Sequence, residues 1–76
     1  MKVRNIASNQ TEVALNNGTR ILVSYETPVA AYVPGEGAYI TETWYSQTTT
    51  RHINKWVGAL DRHFISQAKL DAMMGE

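Results

Sequence analysis

The chain has 76 residues, with seven Lys and Arg balanced by seven Asp and Glu, two His and no Cys. A domain of this length buries only about 60% of its unfolded surface, and without cysteine it has neither disulfide staples nor thiolate metal sites. Zero net charge argues against a domain built mainly to coat nucleic acid; no stretch reaches the roughly 18 apolar residues of a membrane span, and residues 1–5 lead into polar sequence rather than an apolar signal region.

Lys2–Ser8 reads as a short edge strand. Thr11–Leu15 and Arg20–Tyr25 flank Asn16-Asn17-Gly18, a hairpin signal. A three-residue loop with Gly18 left-handed pairs Leu15 with Thr19, Val13 with Ile21 and Thr11 with Val23. That register keeps Val13, Leu15, Ile21, Val23 and Tyr25 on one buried face, whereas a two-residue loop would turn that face to water. Glu26-Thr27-Pro28 is expected to break the second strand, because proline cannot donate to a ladder.

Val29–Val33 resumes β-character, and Pro34-Gly35-Glu36-Gly37 is a turn with proline at its second position and glycine at its left-handed third. Tyr39–Tyr45 reads as a fourth strand, with Ile40 and Trp44 favoured over the tyrosines as its inner face. From Thr49 the period changes. Ile53, Val57, Leu60 and Phe64, widened by Trp56 and Ala68, form the stripe of an amphipathic helix. Thr49 or Thr50 is its expected N-cap, Gly75 its stop, and Gly58 in its middle a place of close backbone approach or a tolerated weak point.

The chain, 1–76, therefore reads as one α+β domain. An antiparallel β-meander of four strands, with Lys2–Ser8 as a fifth, occupies 1–46. One long C-terminal amphipathic helix, 49–73, packs on it. Such a helix would be roughly 36 Å long and would overhang strands of about 20 Å. Either its last turns fray or its tip, with Ala68, Leu70, Met73 and Met74, packs against something else; a second copy of the chain is the cheapest candidate, so a homodimer is expected.

On that helix Arg51, Lys55, Arg62 and Lys69 would fall within about 40° of one another, opposite the apolar stripe. The plain reading is a solvated helix face; the sharper one is a ridge that follows a phosphate backbone. His52 and His63, eleven residues apart, cannot share a metal on one helix. Asp61-Arg62-His63 carries no nucleophile motif, and Gly35-Glu36-Gly37 is too short and acidic for a phosphate loop. No catalytic, cofactor-binding or metal residue is assigned, no cofactor is implied, and the protein is expected not to be an enzyme.

The segments VSYETPVAAYVPGEGAYITE and SQTTTRHINKW together resemble a family of small uncharacterised bacteriophage-encoded proteins, in which a SYETPVAAY strand pair precedes a TTSRHINKW helix start. The resemblance covers residues 22–57, with Thr50 where serine is common. It implies an accessory role in the cytoplasm of an infected bacterium and transfers no catalytic or binding residues. The leading expectation is a non-enzymatic protein that binds a protein partner, such as a host or defence factor, through Trp44, Tyr45, Tyr32, Tyr39, Leu70 and Met73, since tyrosine and tryptophan are enriched at interface hot spots. The alternatives are nucleic-acid binding by Arg51, Lys55, Arg62 and Lys69, and a minor structural component of the virion. No membrane partner is expected.

Overall fold

The computed structural model describes residues 2–74. Its register is set where β2 (Gln10–Ala14) meets β3 (Arg20–Ser24). Val13 pairs with Ile21 and Thr11 with Val23, Leu15 N–H donates to Thr19 O at 2.8 Å, and Gly18 takes φ 89. This is the expected three-residue loop, in which glycine adopts a left-handed backbone without a Cβ penalty. β1 (Lys2–Ala7) pairs antiparallel with β2 as the expected edge strand.

β4 (Thr27–Val33) and β5 (Gly37–Thr41) continue the meander. The turn between them is also as expected: Glu36 N–H donates to Val33 O at 3.0 Å, with Gly35 at φ 82. Pro28 does not end a strand. It lies within β4 opposite Val23, where a bulge between Leu22 and Val23 absorbs it. The turn falls earlier, at Tyr25 and Glu26, with Tyr25 at φ 57 and exposed, while Val23 is half-buried.

The expected helix over 49–73 is absent, and with it the fold of a meander plus one long helix. In its place are α1 (Gln47–Val57), β6 (Arg62–Ile65) and α2 (Gln67–Met74). The N-cap is Ser46, whose hydroxyl accepts from Thr49 N–H, not Thr49 or Thr50. Gly58, at φ 59 and ψ −125, stops the helix. These angles suit the first central position of a type II′ turn, which Leu60 N–H closes onto Val57 O at 3.3 Å. The chain then returns as β6, parallel to β5. Only the Ile53 and Val57 part of the predicted stripe is core; Leu60 and Phe64 are exposed. Gly75 lies outside the described residues.

The six strands form one sheet in sequence order, antiparallel except for β5 and β6. On one face α1 packs Ile53 and Val57 over Leu22, Ala30, Ala38 and Ile40. On the other, Leu70 of α2 packs over Val13, Leu15, Ile21 and Ala31. The neighbours Ile21 and Leu22 are thus both fully buried, on opposite faces. The greatest extent is 30 Å, shorter than the helix once expected, so the overhang that called for a second copy does not exist. No helix among the described residues is long and apolar enough to cross a membrane.

Candidate functional site: an aromatic groove at a sheet edge

β5 ends because Thr41 turns its hydroxyl onto the chain ahead. Thr41 Oγ1 accepts from Thr43 N–H at 3.1 Å and donates to Gln67 Oε1 at 2.7 Å. Gln67 in turn donates from Nε2 to Pro28 O at 2.8 Å, tying the start of α2 to β4 and β5. This bend throws residues 42–45 outward before Ser46 caps α1, so Trp44 is 71% exposed and Tyr45 is exposed too. Tyr39–Tyr45 is therefore not one strand, and of the Ile40–Trp44 pair only Ile40 faces inward.

Across the gap stands β6. Ile40 pairs with Phe64 and Ala38 with Arg62, which puts Phe64 and Arg62 on the α1 face of the sheet. Arg62 Nη1 donates to Asn54 Oδ1 at 2.7 Å and Nη2 to Gly58 O at 3.3 Å. A cation at the C-terminal end of α1 also suits the helix dipole. Phe64 has no such cover and is 71% exposed. Between Trp44, Tyr45, Phe64, Ile53 and Asn54 lies a groove of about 270 Å³.

β6 is also an open edge. Asp61 O accepts from Ala38 N–H and Ile65 O from Glu42 N–H, so alternate residues of β6 point their main-chain groups at β5. By the same alternation the N–H and C=O of Arg62 and Phe64 point away from the sheet. A row of main-chain donors and acceptors beside two exposed aromatic side chains is a template for another strand.

The other predicted partner residues do not join this groove. Tyr32 is half-buried beyond the C-terminal end of α1, against Arg20, Trp56 and Leu60. Tyr39 lies on the α2 side of the sheet, with its ring 5.2 Å from that of His63 and its hydroxyl donating to Glu36. That hydrogen bond, with desolvation and the nearby carboxylate charge, raises the phenol pKa above the ordinary 10.0. Leu70 is fully buried and Met73 packs against the same cluster, so these two are core rather than interface.

The basic ridge does not form either. Arg51 and Lys55 remain exposed on α1, but Arg62 is on β6 and Lys69 is on α2, across the sheet from α1. The helical spacing predicts Phe64 as helix core, whereas it lies exposed on β6. The usable signal for its true place was the alternation Arg62-His63-Phe64-Ile65 after Gly58.

Ser24 Oγ lies 2.8 Å from His52 Nδ1 and 3.5 Å from Thr49 Oγ1. This resembles a nucleophile–base pair, but Ser24 is only 2% exposed. Its hydroxyl fastens the first turns of α1 to the end of β3.

No curated protein and no solved structure matches the chain. A family model does match, over residues 1–72, and its description carries no bacteriophage source and no activity. The chain belongs to that family, a family of unknown function (DUF8033).

Proposed function

We propose that the protein is a non-enzymatic binding module that receives an extended segment of a protein partner along β6, with its apolar side chains in the Trp44–Tyr45–Phe64 groove. The observation that carries this reading is the pairing of two aromatic residues, each 71% exposed, with an unpaired strand edge. Large exposed aromatics that converge on one concavity are typical interface anchors. The local resemblance to bacteriophage-encoded proteins supports a phage accessory factor that acts on a protein in the cytoplasm of an infected bacterium.

The test is affinity capture with and without nuclease, followed by titration of the captured protein against four forms: wild type, Trp44→Ala, Phe64→Ala and Phe64→Pro. Each alanine variant should weaken binding at least tenfold. Phe64→Pro should weaken it further than Phe64→Ala, because only proline also removes the outward N–H. Equal affinity for wild type and both alanine variants refutes the reading. Concentration-dependent dimers that vanish on Trp44→Ala and Phe64→Ala would replace the foreign partner with a second copy of this chain.

A further inference from the structure

We propose a second binding surface: the part of the α1 face of the sheet that α1 leaves open, between β1 and the helix, is a track for single-stranded nucleic acid. It uses residues distinct from those of the aromatic groove and stands or falls separately. Register places Lys2, Ala14, Arg20 and Tyr32 in one row across β1 to β4, each opposite the next. In the next row of the same face Arg4 pairs with Glu12. α1 covers this face from Leu22 onward, while Lys2, Arg4 and Arg20 stay exposed.

The floor and walls suit an extended polyanion. Ala14 lies between Lys2 and Arg20, so the floor there is a methyl group and the space above it is open. A groove of about 460 Å³ over Lys2, Arg4, Ala14 and Arg20 adjoins one of about 390 Å³ between Arg20, Tyr32, Trp56 and Leu60. Lys55 enters from α1 beside Arg4 and Trp56. Glu12 is the carboxylate in this lining and is already engaged: Trp56 Nε1 donates to its Oε1 at 3.0 Å, and Arg4 lies 3.4 Å from its Oε2.

Four cations against one carboxylate leave a surplus of three positive charges here, on a chain whose formal net charge is zero. The other carboxylates among the described residues, Glu26, Glu36, Glu42, Asp61 and Asp71, lie outside the lining. Charge segregation of this kind attracts phosphates. Tyr32 and Trp56, both half-buried, line the end of the row, and the ring area they leave open would stack unpaired bases, the combination by which strands are held without a sequence requirement. A duplex keeps its bases stacked inside and would leave both rings unused.

The experiment uses Trp44→Phe, which leaves Trp56 as the single tryptophan of the chain. Its fluorescence is followed while 15-nucleotide oligothymidylate or oligouridylate is added at 50 and at 200 mM salt. Binding should quench Trp56, and three released counterions give a log–log salt slope of about −2, or roughly a 20-fold loss of affinity between the two salts. Arg20→Gln and Lys2→Gln should each reduce the slope by about 0.7, while Arg51→Gln and Lys69→Gln leave it unchanged. Absence of binding at 50 mM salt overturns the proposal, as does a slope that Arg20→Gln does not alter. Tighter binding of duplex DNA would overturn the single-strand assignment, and equal binding of polyglutamate would assign the surface to acidic polypeptides.

Discussion

Replacing Gly58 with alanine separates the broken segment from a continuous helix by the sign of one number. Inside a helix the change would stabilise the protein by about 1 kcal/mol. At φ 59 and ψ −125 the expectation reverses. A Cβ added there meets no atom within 4 Å, so the penalty is conformational rather than steric crowding, on the order of 1–3 kcal/mol. In a domain of this size each kcal/mol lowers Tm by about 4–8 °C. Urea titrations followed by circular dichroism should show a lower midpoint with an unchanged slope. The same angles are the mirror image of an ordinary extended turn conformation, so D-alanine placed at 58 by chemical synthesis should fit without strain. A higher midpoint for the L-alanine variant, or marked destabilisation by D-alanine, would refute the type II′ stop and restore the continuous helix.

Leu70→Ala should lose about 2–5 kcal/mol of stability, the usual cost of emptying a fully buried leucine site. Trp44→Ala should change stability by no more than about 0.5 kcal/mol because its side chain lies in solvent; the reverse order in thermal melts would show that core and surface have been exchanged. The hydrogen bond from Tyr39 to Glu36 makes stability sensitive to alkali. Since the folded-state pKa is raised above 10.0, the stabilisation is complete below that value and is lost as pH rises through the folded pKa, where the unfolded chain has already released its proton. Tyr39→Phe should therefore lose less stability than wild type in melts above pH 10, and parallel alkaline curves would remove this bond from the account.

Much of the sheet was legible because its signals are local. Asn16-Asn17-Gly18 and Pro34-Gly35 dictate their own turns, and the alternation around the first loop leaves one register that buries Val13 with Ile21. The second half was not legible for a different reason. Ile53, Val57, Leu60 and Phe64 keep helical spacing, yet spacing alone does not show where a rod ends, and a lone Gly58 inside such a pattern does not by itself mark a terminus. Two-sided burial was equally hidden. Ile21-Leu22-Val23 and Val29-Ala30-Ala31 are nearly unbroken apolar runs, as expected of strands covered on both faces, and a second covering layer follows from them only when both faces of each run are counted. The candidate groove is half legible: Trp44 and Tyr45 stand among the expected partner-binding residues, although the strand pattern favours Trp44 for the inner face, and Phe64 joins them only once the chain folds back as β6.

Ala30 and Ala31 are adjacent in β4, both without exposed surface, one beneath α1 and the other beneath α2. Interiors are packed to the density of organic crystals, and an added methylene in such a place pushes its neighbours aside. Clearance above and below the strand is thus governed from two consecutive codons. Valine in place of the first should lift the layer that bears Ile53, and valine in place of the second the layer that bears Leu70, so the spacing of each outer layer can be varied while the other keeps its seat.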